Sequence, residues 1–178
     1  NRAGLLLQNG TIYLAFASHC DYGPYHGWIF AYDTATLTQK SSFNSTPNGG
    51  LGGFWMSGAG ITADAGGNIF IPSGNGDFDT VNVPATEFGD TILKLGTANG
   101  KLTLLDYFTP ANQLALDQDD VDLGSGGVLL LPDQPGAHPH VLVEAGKEGR
   151  IYFIDLDQMT ADDSHYCSSD CDNGDPEI

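Results

Sequence analysis

The sequence predicts an all-β fold: a β-propeller segment of about three four-stranded antiparallel blades, part of a larger propeller. Three observations predict it. An apolar strand pair occurs three times, as Ile12-Tyr13-Leu14 with Ile29-Phe30-Ala31-Tyr32-Asp33, Ile69-Phe70-Ile71 with Ile92-Leu93-Lys94-Leu95-Gly96, and Val141-Leu142-Val143 with Ile151-Tyr152-Phe153-Ile154-Asp155. The spacing is nearly even, with 63 residues from Asp33 to Gly96 and 59 from Gly96 to Asp155. The 24 glycines and the lack of any sustained 3.6-residue period argue against helices. A strand-and-turn repeat of this length is the pattern of propeller blades.

Each unit divides into strands a to d. The first unit places them near residues 3–8, 11–17, 28–33 and 38–43, where β-branched and aromatic residues concentrate. The second places them near 60–63, 68–72, 91–95 and 101–108. The third places three strands near 127–131, 140–144 and 150–155, with no evident fourth. Asn9-Gly10, Gly66-Gly67-Asn68 and Asn99-Gly100 supply the tight turns. The units span about 1–58, 59–110 and 111–160, and 161–178 is a polar acidic tail or inter-blade loop. The a–b and c–d connections are short and share one face. The b–c and d–a connections (18–27, 44–59, 73–90, 107–126 and 145–149) are long and share the other, where sites on a rigid scaffold usually lie. Propellers have about four to eight blades. Three blades leave two open edges, so further blades are expected from the same chain or another subunit.

Six basic residues face 23 acidic ones, for a formal net charge of −17. That balance repels a nucleic-acid backbone and an anionic membrane surface, and attracts cations. No stretch approaches eighteen apolar residues, so no membrane-spanning helix is expected. Three cysteines occur. Cys167 and Cys171 are spaced for a short disulfide, which suits a secreted or periplasmic location. A zinc site needs four ligands, and these two with His165 supply three; free thiols are the remaining reading. Cys20 is left over.

The hairpin Gly146-Lys147-Glu148-Gly149-Arg150-Ile151-Tyr152-Phe153-Ile154-Asp155 resembles the repeat of the pyrroloquinoline-quinone (PQQ) β-propellers. Ala31-Tyr32-Asp33-Thr34-Ala35-Thr36 and Leu95-Gly96-Thr97-Ala98-Asn99-Gly100 resemble the same strand end and turn. The stretches Gly23-Pro24-Tyr25-His26-Gly27-Trp28 and Asp122-Leu123-Gly124-Ser125-Gly126-Gly127 resemble secreted quinoprotein-like proteins. The resemblance implies a quinone held on the propeller axis with Ca2+, an aromatic such as Trp28, and cations such as Lys147 and Arg150. The adjacent cysteine pair and the tryptophan docking pattern of the enzyme repeats are absent, which weighs against PQQ itself.

The long loops hold the chemistry. Ser18-His19-Cys20-Asp21 and Tyr25-His26-Gly27-Trp28 make His19, Asp21 and His26 candidates for acid–base work, against a structural role in holding the loop. Asp77 and Asp79, and Asp119 and Asp122 in the acidic run 117–122, are candidate Ca2+ ligands, against turn formation and solvation. Asp122 is also placed to cap backbone N–H groups near the axis. His138 and His140 fall in a short connection on the opposite face. The reading that follows is a non-catalytic binding or assembly module, with ligand or cation contacts on the long-loop face and a small molecule or glycan as ligand. The alternatives are part of a PQQ-dependent sugar or alcohol oxidoreductase, and a structural subunit of an extracellular filament.

Overall fold

The computed structural model describes residues 1–82 and 84–159. They form three antiparallel sheets, each built from consecutive strands. The first blade comprises β1 (Leu6–Gln8), β2 (Thr11–Phe16), β3 (Trp28–Asp33) and β4 (Gln39–Asn44). The second comprises β5 (Thr62–Ala63), β6 (Ile69–Pro72), β7 (Ile92–Gly96) and β8 (Thr103–Phe108). The third comprises β9 (Leu129–Leu130), β10 (Val141–Ala145) and β11 (Ile151–Asp155). Helical structure among the described residues is limited to α1 (Gln113–Gln118) and three single 3-10 turns. The short α1 lies in a long connection that the sequence reading left without structure. The 161–178 tail, with Cys167 and Cys171, lies outside the described residues.

Turn chemistry sets the register. Asn9 and Gly10, with φ of 48° and 69°, turn β1 into β2 so that Gln8 faces Thr11. At the end of β3, one Asp33 carboxylate oxygen accepts the N–H groups of Ala35 and Thr36 and the Thr36 hydroxyl. The Thr36 bonds, with Lys40 beside the other oxygen at 3.3 Å, depress its pKa to about 2. Asp155, at the matching end of β11, accepts the Asp157 N–H at 2.9 Å. A carboxylate at the strand end therefore builds the next turn in two of the three blades.

Alternation along the strands makes two cores. Ile69 and Ile71 on β6, with Leu93 and Leu95 on β7, face Tyr13, Ala15, Ile29 and Ala31 of the first blade. Phe70 and Ile92 point the other way, onto Leu142, Tyr152 and Ile154 of the third. The middle blade is thus buried on both faces, and β6 reads as an unbroken apolar run, while β7 is interrupted only by Lys94. Among the described residues, no further sheet packs on the outward faces of the flanking blades. Leu129, Ile151 and Phe153 of the third blade are each more than half exposed. The first blade presents Leu7, Trp28 and Phe30, the two rings stacked 5.6 Å apart.

Within the β6–β7 connection the backbone folds so closely on itself that Gly89 has no room for a side chain. A Cβ on Gly89 would sit 2.0 Å from the Gly76 carbonyl oxygen. Phe70 is fully buried at the centre of the second core. Phe70→Ala is expected to cost about 3–5 kcal/mol, read as a lower midpoint in urea denaturation. A loss below about 1 kcal/mol would mean that the second core is not formed as described.

Candidate functional site

The long loops of all three blades meet at a cavity of about 750 Å3. Its wall includes His19, Asp21 and Tyr25 from the β2–β3 connection and Trp55 from the β4–β5 connection. Asn75 follows β6, Asp122 precedes the third blade, and Lys147 sits in the β10–β11 turn. A volume of this size takes a drug-sized ligand.

Asp122 organises the floor. Its Oδ1 accepts the backbone N–H of Asn75 at 2.9 Å, and its Oδ2 lies 2.6 Å from Lys147 Nζ. The Lys147 N–H returns a bond to the Asp122 carbonyl at 3.1 Å. Lys147 Nζ also donates to the Asp120 carbonyl at 3.0 Å, and Asn75 Nδ2 donates to Asp120 Oδ1 at 3.0 Å. These contacts tie the second blade to the third across the cavity. The bond to Asp122 raises the Lys147 pKa above its ordinary value, so the ammonium stays charged. Asp122 and Trp55 both press on Gly74, where a Cβ would fall 2.3 Å from Asp122 Oδ1 and 2.7 Å from the indole Cδ1.

Part of the wall is aromatic. Tyr25 meets Trp55 edge to face, with centroids 6.1 Å apart, and the Arg2 guanidinium lies 5.6 Å over the indole. The Tyr25 hydroxyl donates to Asp21 Oδ1 at 2.6 Å. Burial, and then this bond, push the phenol well above its usual pKa, so Tyr25 serves as a donor.

The predicted site residues separate. His19, Asp21, Asp122 and Lys147 reach the cavity. His26 does not line it; its Nδ1–H donates to the Thr46 carbonyl at 2.7 Å and fastens the loop. Trp28 lies on the outer face of the first blade. Arg150 pairs with Glu148 at 3.2 Å and covers Tyr152. Asp77 Oδ2 accepts the Gly50 N–H at 2.8 Å. Asp79 accepts bonds from Val81, Asn82 and Thr86; burial opposes its charge, but those bonds hold its pKa below the usual range. Asp119 caps the C-terminal end of α1. Among the described residues, no three His, Cys, Asp or Glu side chains gather as a metal-ligand group. Trp55 and Arg2 escaped the sequence reading because they reach the cavity only through the packing of the blades.

Two buried carboxyls behind the floor also escaped it. Asp90, fully buried, accepts the Leu123 N–H at 3.0 Å and so holds the segment after Asp122. Burial pushes its pKa up to about 8. Glu144, 1% exposed, is pushed to about 8 by burial and then by the nearby Asp90 charge. The signal in the sequence was a lone Glu inside the apolar run Val141-Leu142-Val143-Glu144-Ala145. In the unfolded chain both carboxyls titrate near 4. The fold therefore binds their protons more tightly, and stability falls as pH rises from about 4 to about 8, then levels. In chelator-containing buffer the denaturation midpoint is expected to fall across that window. The double substitution Asp90→Asn with Glu144→Gln should remove most of the slope; an unchanged slope would assign it to other groups.

Comparison with known proteins bears on the fold. No protein-family model matches the chain. No curated protein matches it. Among solved structures, it is similar to the quinohemoprotein alcohol dehydrogenase ADHIIG from Pseudomonas putida HK5, with a TM-score of 0.63 at 18% sequence identity. The match covers 88% of this chain and 26% of that one, so the chain spans about a quarter of the length of its structural neighbour. At this identity the likeness establishes a quinoprotein-like β-propeller fold.

Proposed function

We propose that this propeller segment binds a small polyhydroxylated molecule, of the sugar or polyol class, in the cavity on its long-loop face. The observation that carries the reading is the Asp122–Lys147 pair at 2.6 Å, which lines the same cavity as Asn75, Trp55 and Tyr25. Hydroxyl groups need both donors and acceptors. Lys147 donates, Asp21, Asp122 and the Tyr25 hydroxyl oxygen accept, and the aromatic faces take the C–H surface of a ring. The uncovered apolar faces of the first and third blades would receive further blades, which makes the segment an assembly module as well.

A second reading makes the same cavity part of a PQQ-dependent sugar or alcohol oxidoreductase, and the fold of the structural neighbour favours it. The residues present fit such a group. Trp55 offers an indole for a flat ring, Lys147 and Arg2 offer cations for its carboxylates, and Asn75 Oδ1 is a buried acceptor with no partner. When bound, the quinone would supply the hydride acceptor. His19 or Asp21, at the cavity wall, would take the proton of the substrate hydroxyl.

Titration calorimetry against a panel of sugars and polyols tests the binding reading. Lys147→Met is expected to weaken binding at least about tenfold, or roughly 1.4 kcal/mol, with the circular dichroism unchanged. No heat with any member of the panel would overturn it. Addition of PQQ and Ca2+ to the full-length protein separates the second reading, which requires a quinone absorbance shift and dye reduction on an alcohol.

A further inference from the structure

Glu144 presents a problem that the cavity does not solve. Its side chain is 1% exposed, and both carboxylate oxygens lack a hydrogen-bond partner. It follows Leu142 along the face of β10 that packs on the middle blade. Lys94 on β7 and Lys147 in the β10–β11 turn are committed elsewhere. Lys94 Nζ donates to the Leu156 carbonyl at 2.6 Å, and Lys147 Nζ pairs with Asp122. A buried carboxylate without a counter-charge costs several kcal/mol. A proton would remove the charge and still leave both oxygens without a neighbour to bond. A cation answers both needs at once.

We propose that Glu144 anchors a hard-cation site of the Ca2+ class, buried in the seam between the second and third blades, with Asp90 as its second carboxylate. Asp90 is itself fully buried, and it holds the N–H of Leu123, three residues before the Gly126 that lies beside Glu144. Its Oδ1 is held by Leu123, while its Oδ2 has only a loose 3.4 Å contact with Gln113 Nε2, which leaves lone pairs for a ligand role. The main chain at Gly126 passes close by. A Cβ on Gly126 would lie 3.8 Å from Glu144 Oε1 and 2.2 Å from the Ala145 carbonyl oxygen, so bare main chain passes over the carboxylate. Oxygen donors of mixed charge in a glycine-lined seam suit an ion that takes six to eight oxygens in irregular geometry. The site is separate from the aspartates of the long loops, and it does not rest on the sugar-binding or the quinone reading.

The test is thermal unfolding of the metal-stripped full natural chain, with and without CaCl2. Physiological salt and excess Mg2+ occupy surface carboxylates. Saturating Ca2+ is expected to raise the wild-type midpoint by roughly 5–10 °C, and Glu144→Gln should abolish the rise. No saturable rise, or the same rise in Glu144→Gln, would overturn the site. Should the variant fail to fold, Tb3+ anomalous diffraction on the wild type decides. A peak between Glu144 and Asp90 supports the proposal, and peaks at surface carboxylates only would overturn it.

Discussion

The two-sided burial of the middle blade is the constraint on which the rest depends. Ile69 and Ile71 face one neighbour while Phe70 faces the other, so β6 can carry no polar side chain on either surface. Both flanking sheets are then fixed relative to one element. Loops that leave the three blades on the same side are brought together without any need for local sequence proximity. The cavity is a consequence of that packing, assembled from residues as far apart as Arg2 and Lys147.

Polar contacts refine what the cores position. Asp122 takes one bond from the second blade, through Asn75, and one from the third, through Lys147. Asp90 does the converse, reaching from the second blade to the Leu123 N–H. Two carboxylates of opposite parentage therefore lock one seam. One stands at the wall of the cavity beside an ammonium group; the other is sealed behind it and pushed toward neutrality by burial. The difference in their surroundings, not in their chemistry, separates their roles.

The strands were legible because apolar runs ended in strong turn signals. Asn9-Gly10, the Asp33 turn and the strand bounds of the first two blades could be read to within a few residues. Asp122 was legible as a candidate from the acidic run before a glycine-rich strand entry, and Lys147 from the resemblance of its hairpin to the PQQ-propeller repeat. Their pairing was not, since 25 residues, with β9 and β10 among them, separate the two. Trp55 gave no local signal, for a single tryptophan in a glycine-rich loop reads equally well as packing. Trp28 sits in a run, Trp28-Ile29-Phe30-Ala31, that is apolar on both faces, so the alternation could not say which side it takes. Glu144 was legible as an anomaly only, because a sequence shows that a charge interrupts a strand and not whether anything answers it.

The positions of the two tryptophans have a practical consequence. They are the only ones in the chain, and the fold puts them in unrelated surroundings. Trp28 stacks on Phe30 at the uncovered face of the first blade, while Trp55 sits under Arg2 at the cavity wall. The protein thus carries two native optical reporters. Emission from one follows the covering of a blade face, emission from the other follows events in the cavity, and replacing either with phenylalanine isolates its partner's signal.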